Sequence, residues 1–367
     1  MKKAIPLKFF NLLSRWKALW LLGFFLPLTF GDVSAQTADF SQYFNNPLYY
    51  NPANTGSELG FKARMNFKNQ FNRLGDNYDN ISFSMDFAER AIPGSGGIGL
   101  LFLSDFDGIG LVRTTAVKLT YSARIQITDR LITQLGIGPA FVTRSIDWSQ
   151  LVFSDQLDPH YGAINPSVFQ SPDRNSISHP DLGIGFLFQY FGNSRNYSNI
   201  VTSIGGSVDH VLSPDISFSG IEHRMPLKYL FSANILFDNS RFTGAGFARQ
   251  RSEFRFNPGF VYMQHENLRS LLAGLNAYKN HIYTGIWGRA QQYEDATVTD
   301  VILLLGVDIP LGDQSGLKIM YSYDYLVGGL MRSTGPTHEI SLVYELNNFS
   351  IFGIPGRRLN PLECPIW

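Results

Sequence analysis

The chain has 367 residues, of which 44% are hydrophobic, 14% aromatic and only 16% charged, against roughly 25% charged in an average soluble domain. The hydrophobic fraction supplies an ample core, which excludes a disordered chain. A polytopic helical membrane protein is excluded too, because each helical span needs about 20 consecutive apolar residues and no such run occurs. The composition therefore indicates a β-rich chain whose surface is partly solvated by something other than water.

The first 35 residues have the pattern of a secretory signal peptide. Five basic residues precede the apolar run 18–30, and Val33, Ser34 and Ala35 precede a predicted cut at Gln36. A transmembrane anchor is the alternative, but this run has 13 residues and contains Pro27, which is short for a span. Cleavage would leave 25 basic and 29 acidic residues, a balance that argues against a nucleic-acid partner.

Alternation of apolar and polar residues dominates the chain from Leu59 onwards. Residues 59–68 alternate strictly, and the same period returns at 81–87 and 118–127; it is the period of a strand with one apolar and one wet face. The wet positions of these strands, which predict a polar lumen of mixed charge, are Lys62, Arg64, Lys68, Asp86, Lys118 and Arg124. Further strand candidates are 96–104, 131–143, 181–191, 197–209, 227–237, 254–265, 268–278, 281–290, 299–310, 316–325 and 337–346.

Two all-β architectures compete, a soluble sandwich and a transmembrane barrel, because both predict alternating strands. Repeating units of about ten residues favour the barrel. Link lengths also alternate, as in outer-membrane barrels: Asp129–Arg130, 193–196, 238–241 and Lys279–Asn280 read as tight turns, whereas 146–180 and 210–225 are long. We predict an antiparallel transmembrane β-barrel of fourteen strands over residues 59–346, with twelve or sixteen strands as alternatives.

The stretch before the first strand has neither a helical nor a strand period. Asn46–Pro47 and Asn51–Pro52 each favour a turn, because proline restricts the residue before it. We expect residues 36–58 to form an extended or plug segment at the periplasmic mouth or inside the lumen, the alternative being a disordered leader. Its candidate plug or partner contacts are Tyr43, Phe44, Asn46, Pro47, Tyr49, Tyr50, Asn51, Pro52 and Gly56.

The long link 146–180 is a second candidate interaction site, because it has more apolar residues than an idle surface loop needs. A lid over the barrel and a contact for an exported partner both fit this composition. Its candidate contacts are Trp148, Phe153, Asp155 and Asp158. Asp155, Asp158 and His160 match no EF-hand or zinc spacing, so we interpret them as solvated loop charges rather than as a cation site.

Catalytic signals are weak. Gly94–Gly99 fits G-x-G-x-x-G but opens a predicted strand, whereas a dinucleotide site needs a strand, a turn and then a helix. His265–Glu266 and His338–Glu339 lack a second histidine four positions on. No catalytic residue, cofactor or metal is predicted. The single Cys364 cannot form an internal disulfide and is either a free periplasmic thiol or an intermolecular partner.

Several motifs resemble those of one family. Ser41–Gln42–Tyr43, Asn46–Pro47, Asn51–Pro52–Ala53 and Thr55–Gly56 resemble the opening of the PorP/SprF family of type IX secretion outer-membrane proteins. The likeness continues through 147–158, Tyr321–Asp324, His338–Leu342 and the tail around Cys364–Pro365. The chain departs from the family pattern at Asn54, where tyrosine is common, and over 239–253.

The resemblance implies a non-catalytic outer-membrane barrel of the type IX secretion system of Bacteroidetes, supporting export or surface anchoring of large adhesins and gliding motility. The implied partners are outer-membrane lipid, adhesin-type secreted cargo, and periplasmic or outer-membrane secretion components. The alternatives are a channel or transporter for small or hydrophobic solutes and, third, a barrel enzyme. The expected layout is a signal peptide at 1–35, the periplasmic N-terminal segment at 36–58, the barrel at 59–346 and a tail at 347–367.

Overall fold

The fold is an antiparallel β-barrel of fourteen strands that closes on itself. The structure, a computed structural model, describes residues 39–58, 60–70, 78–88, 94–108, 111–158, 160–172, 174–192, 199–218, 220–238, 254–293, 296–312, 314–327 and 334–347. The predicted signal peptide at 1–35, the turn at 193–196 and the tail from 348 onwards, with Cys364, lie outside the described residues.

Each of the fourteen predicted strand segments coincides with a barrel strand, so the predicted architecture and count are confirmed. Two further strands of two residues each form a small hairpin between β5 and β8. The strands are β1 Phe61–Gln70, β2 Tyr78–Ala88, β3 Ser95–Asp107, β4 Val112–Thr128, β5 Leu131–Ile146, β6 Leu157–Asp158, β7 Gly162–Ala163, β8 Ser176–Gly192, β9 Asn199–Asp209, β10 Lys228–Asp238, β11 Arg255–His265, β12 Leu268–Lys279, β13 Ile282–Tyr293, β14 Ala296–Pro310, β15 Ser315–Leu326 and β16 Thr337–Leu346.

The first and last strands pair with each other and close the barrel. Phe61 lies opposite Leu346, and the ladder continues to Asn69 opposite His338. Closure leaves no unpaired strand edge, which a bilayer does not tolerate because its core offers no water to the free backbone groups. We call the end of the barrel where β1 begins and β16 ends the terminal rim, and the opposite end the far rim.

The two faces of the wall are inverted relative to a soluble protein. In β1, Lys62, Arg64 and Lys68 are buried, whereas Met65 and Phe67 are exposed on the outside. Lipid solvates the apolar outer face, so the polar residues are left to the lumen. The predicted lumenal positions Asp86 and Lys118 are buried as well, while Arg124 is half-buried.

The links between strands follow the expected asymmetry only in part. The two long links, between β5 and β8 and between β9 and β10, both lie at the far rim as predicted. At the terminal rim, Asp129–Arg130 is a tight turn, and Asn280–His281, with φ of 47° and 75°, makes the turn expected one residue earlier. The tight turn predicted at 238–241 falls, beyond Asp238, on residues outside the described part. Asp238, the last residue of β10, pairs with Arg255, the first residue of β11.

Candidate functional site in the barrel lumen

Residues 39–58 lie inside the barrel, and we call them the lumenal segment. Pro47 and Pro52 stand at the first position of the second and third helical turns. Proline suits this position because its φ angle is already helical and because the first N–H group of a helix has no partner within the helix. The Asn51 side chain caps the third turn by accepting a hydrogen bond from the Ala53 N–H at 2.8 Å. Among the described residues no helix is long and apolar enough to cross a bilayer. The three single turns are Tyr43–Asn45, Pro47–Tyr50 and Pro52–Asn54.

Aromatic rings fill the lumen around this segment. The Tyr43 ring meets the indole of Trp287 edge to face at 5.4 Å, and the rings of Tyr49 and Tyr50 lie 5.0 Å apart. Burying one such ring contributes roughly 1.5–3 kcal/mol, and each edge-to-face pair adds about 0.5–1.5 kcal/mol. Of the sequence-predicted contacts, Tyr43, Phe44, Asn46, Tyr49, Tyr50, Asn51, Pro52 and Gly56 are buried, and Pro47 is half-buried.

The buried phenols act as hydrogen-bonding groups rather than as charges. Loss of hydration raises the pKa of Tyr43, Tyr49 and Tyr50, and the Asp39 carboxylate raises that of Tyr50 further. The Tyr50 hydroxyl donates to the carbonyl oxygen of Phe40 at 2.8 Å and lies 3.0 Å from the Asp39 carboxylate. The neutral Tyr50 phenol therefore cross-links the lumenal segment to itself, whereas the Tyr49 hydroxyl accepts from Lys228 on β10 at 3.1 Å.

The beginning of the lumenal segment is held by carboxylates near the far rim. The Glu339 carboxylate on β16 accepts hydrogen bonds from the Ser41 N–H at 2.7 Å and from the Gln42 N–H at 3.2 Å. The Ser41 hydroxyl donates to the Asp324 carboxylate on β15. Charge-assisted bonds of this kind are roughly twice as strong as neutral ones. We call these residues, with Asp39, Lys68, Arg289 and Asp300, the far-rim cluster.

Two cations lie among the four carboxylates of the far-rim cluster. Arg289 on β13 donates to Asp300 at 2.8 Å and to Asp324 at 2.9 Å. The Lys68 ammonium donates to the backbone carbonyl of Asp39. The Asp39 carboxylate itself accepts from Ser270 and Gln291 at 3.2 and 3.0 Å. Buried charges persist only when they are paired and hydrogen-bonded, so the cluster fixes the start of the lumenal segment in one position.

The middle of the lumenal segment bonds to strands on two sides of the barrel. The Asn46 side chain donates to the Ser82 hydroxyl on β2 at 2.9 Å. Across the lumen, the Asn51 side chain donates to the carbonyl oxygen of Phe186 on β8 at 2.9 Å. The Ser207 hydroxyl on β9 donates to the Tyr50 carbonyl at 2.6 Å. Because β9 lies seven strands around the fourteen-stranded wall from β16, which holds Ser41, the segment bridges opposite walls instead of lining one of them.

The end of the segment is tied at the terminal rim by a second set of charges. Glu58 lies 3.2 Å from Lys62 and 3.7 Å from Arg64. Lys62 also pairs with Glu345 on β16 at 3.2 Å, and Arg64 pairs with Asp86. Both ends of the lumenal segment thus carry ionic contacts, one set at each end of the lumen.

Glycine in the wall makes room for the segment's backbone. At Gly136 on β5, a Cβ atom would lie 2.2 Å from the Ala53 nitrogen, which is far inside van der Waals contact. Gly56 has φ of +60°, and a Cβ there would meet the Gly96 carbonyl oxygen at 2.4 Å. Wall and segment therefore touch backbone to backbone, which only glycine permits.

A valine at position 136 is expected to displace the lumenal segment. Gly136→Val should lower the free energy of unfolding by about 1–3 kcal/mol, the usual cost of overpacking, as measured by urea titration in lipid vesicles. The matched control is Gly288→Val on β13, where a Cβ would meet only the Ala273 carbonyl oxygen at 4.0 Å. Equal stabilities for the two variants would contradict the close contact.

Residues 32–344 match the family model described as type IX secretion system membrane protein PorP/SprF. The chain belongs to this family. The motifs that carry the likeness meet in this PorP/SprF structure, because Ser41 contacts both Asp324 and Glu339. The family and the closed barrel together place the chain in the outer membrane.

Solved structures similar to this PorP/SprF member are bacterial barrels. The CymD monoaromatic hydrocarbon channel aligns at 10% identity and a TM-score of 0.45, covering 84% of this chain and 94% of that chain. The toluene transporter TodX of P. putida aligns at 9% identity and a TM-score of 0.43, covering 82% and 93%. Such identities and TM-scores do not bear on what this chain binds. A comparison with curated proteins returned no match.

The space left beside the lumenal segment is small. One cavity of about 40 Å³ lies between Tyr50, Asn54 and the wall at Gln189. A second, of about 30 Å³, lies between Phe44 and the wall at Asn257. Each has room for one or two water molecules, and both polar side-chain atoms of Asn257 have no protein partner in the described structure. In this PorP/SprF barrel the segment, rather than solvent, occupies the lumen around these positions.

The four predicted contacts in the far-rim loop lie apart from the lumenal segment. Trp148 packs against Phe169 at 5.8 Å, and Phe153 packs against the same ring at 4.3 Å. Asp155 accepts from the Val168 N–H at 2.6 Å, a bond that lowers the pKa of this carboxyl. Asp158 accepts from the Tyr161 N–H at 3.0 Å. All four side chains therefore hold the loop's own fold.

The enzymatic motifs fall in structural positions. Gly94 is a turn residue with φ of +81° and leads directly into β3, as the strand interpretation predicted. Glu266 lies in the turn between β11 and β12, and His338 stands 2.7 Å from the Tyr321 hydroxyl on the outer side of the wall. Among the described residues, no group of three histidine, cysteine or acidic side chains is placed to hold a metal ion.

The sequence analysis missed the wall residues that hold the lumenal segment. Glu339, Asp324 and Arg289 were not among its candidate contacts, although the first two lie in motifs that resemble the family. A usable signal existed, because each stands at an inward position of a predicted strand, where the alternation places the side chain in the lumen. Charge at such a position predicts a partner inside the lumen, but it does not say which one.

Proposed function

We propose that this PorP/SprF barrel is a non-catalytic, plugged component of the type IX secretion system that supports export or surface anchoring of large adhesins. The observation that carries the proposal is the family match combined with a lumenal segment that bonds to opposite walls and carries ionic contacts at both ends. A lumen that is occupied by a segment held in this way is more consistent with a barrel that docks other proteins than with a barrel that conducts solutes. The other proposed partners are secretion components and outer-membrane lipid. We propose that the protein works in a bacterium of the Bacteroidetes that moves by gliding.

The proposed orientation places the terminal rim in the periplasm and the far rim outside the cell. It follows from export through a signal peptide at 1–35 and from the rule that long barrel loops are extracellular. In a Cys364→Ser background, Val168→Cys at the far rim is expected to react with an impermeant maleimide on intact cells. Arg130→Cys at the terminal rim is the control and is expected to react only after lysis. The reverse pattern would overturn the orientation.

Deleting the gene is expected to remove one or a few large surface proteins. The amounts of surface and secreted proteins are compared by quantitative mass spectrometry between the deletion strain and a strain complemented with the full chain. Loss of such proteins, with outer-membrane barrels otherwise unchanged, supports the proposal. An unchanged surface together with a defect in solute uptake would support the channel alternative instead.

A further inference from the structure

The two far-rim loops pack on each other and form what we call the crown, whose described residues are 147–158, 160–172, 174–175, 210–218 and 220–227. Trp148 of the first loop packs edge to face on Phe218 of the second, with ring centroids 6.1 Å apart. The hairpin of β6 and β7, together with the hydrogen bonds that the Ser167 hydroxyl donates to the Asp155 carboxylate, shapes the first loop. Asp215 accepts from the His223 N–H at 2.9 Å and shapes the second.

The crown turns aliphatic and aromatic side chains outwards. Val168 is 87% exposed, and Tyr161 and Ile221 are each 77% exposed. Val152, Leu157 and Ile164 are also exposed on the same loops. Water does not favour a shaped loop that presents so many apolar groups, and exposed apolar groups concentrated on two packed loops indicate an interaction surface.

The bilayer is not what covers this patch. The crown is carried by β5 and β8, which have 16 and 17 residues, whereas a transmembrane strand needs about 9–11. At the far rim, residues 176–183 of β8 lie beyond its last pair with β9 and pair with β5, so these two strands project past β9 and are expected to lift the loops beyond the hydrocarbon band. The apolar side chains of the crown therefore face the aqueous side of the membrane.

The charge of the crown favours a basic partner. Its described residues include five acidic side chains, Asp147, Asp155, Asp158, Asp215 and Glu222, against the two cations Arg174 and Arg224. Hydrogen bonds from nearby N–H and O–H groups lower the pKa of Asp147, Asp155 and Asp215 and keep these carboxyls ionised. A net negative patch repels the phosphates of lipopolysaccharide and attracts lysine and arginine.

We propose that the crown docks an exported protein whose contact surface combines an apolar patch with flanking lysine or arginine side chains. The apolar groups supply the contact area, and the acidic groups select the partner and orient it. The inference rests on the proposed function and on the far rim facing outwards. In this arrangement Trp148, Phe153, Asp155 and Asp158 support the loops, and the contact is made by Val168, Ile221 and Tyr161.

The test uses the full chain in the deletion strain. The variant Val168→Ser/Ile221→Ser removes two outward apolar side chains, and the matched control Asn165→Ser/Gln170→Ser alters two exposed polar ones of the first loop. Loss of two central contacts lowers affinity about tenfold or more. The variant is therefore expected to retain the barrel in the outer membrane but to lose the surface protein that the deletion loses, while the control retains it.

A photo-crosslinking amino acid at position 161 identifies what sits on the crown. Crosslinking to the same exported protein supports the inference. Crosslinking to lipopolysaccharide alone, or normal display of that protein by the double variant, overturns it while leaving the proposed function intact. If the deletion strain itself loses no exported protein, the proposed function fails first and the inference falls with it.

Discussion

Removing residues 39–56 is expected to turn the barrel into an ion-conducting pore. The residues that would then line the lumen include buried charges such as Lys62, Arg64 and Asp86, which would be hydrated once the lumenal segment is gone. A fourteen-stranded wall lies between the small barrels that side chains fill and the 16- to 18-stranded porins with aqueous channels. Discrete conductance steps are therefore expected in planar bilayers, where the full chain gives none.

The control for this experiment is a deletion of similar length in the crown, over 157–172, which leaves the lumenal segment in place and is expected to stay silent. Folding of both variants is checked by their migration on gels with and without boiling. A truncated barrel that is folded but remains silent would show that something other than residues 39–56 blocks the lumen. A full chain that already conducts would contradict the proposed function and favour the channel alternative.

Replacing Glu339 by alanine is expected to be the most damaging single substitution in the lumen. Glu339 is fully buried, accepts the Ser41 and Gln42 N–H groups, and lies opposite Lys68 in the ladder between β1 and β16. Removing one partner from a buried charged network typically costs about 3–5 kcal/mol, because the remaining charges and donors stay buried without it. Urea titration in vesicles should show a loss of that order.

A matched control separates this effect from any loss of a glutamate. Glu222 pairs with Arg224 at 2.6 Å on the exposed crown, and Glu222→Ala is expected to change stability by less than about 1 kcal/mol, as for other surface ion pairs. Glu339→Gln retains an acceptor oxygen and is expected to fall between the two. In a Trp148→Phe/Trp367→Phe background, Trp287 fluorescence reports the segment itself, because the indole packs on Tyr43. Equal stability of Glu339→Ala and Glu222→Ala would contradict the role assigned to the far-rim cluster.

The strands of this barrel could be predicted from the sequence because a membrane-spanning strand must place apolar side chains towards lipid and polar ones towards the lumen. Every residue of a strand faces either hydrocarbon or lumen, so the alternation in 59–68 specified both the strand and the direction of each side chain. Local polarity was less exact at a turn. The turn predicted at Lys279–Asn280 lies one residue later, because Lys279 still pairs with Ile282 at the end of β12.

The contacts of the lumenal segment could not be predicted in this way. Its prolines and aromatic residues indicated an ordered segment, but its partners are far away along the chain: Ser41 and Glu339 are 298 residues apart. No local period encodes a contact of that kind. The far-rim cluster also contains several charged side chains that could pair in more than one way. Which carboxylate accepts from which backbone N–H depends on the positions that these side chains take in the closed wall.

The pairing of residue 41 with the last strand has a consequence for biogenesis. The segment leaves the ribosome before any strand, yet its acceptors on β15 and β16 are made last, so these contacts form only after the last strand is made. A slip of β16 by two positions would keep Glu339 pointing inwards but move it away from Ser41 by about 7 Å. We therefore expect the complete set of N-terminal contacts only in copies whose first and last strands have paired in the correct register.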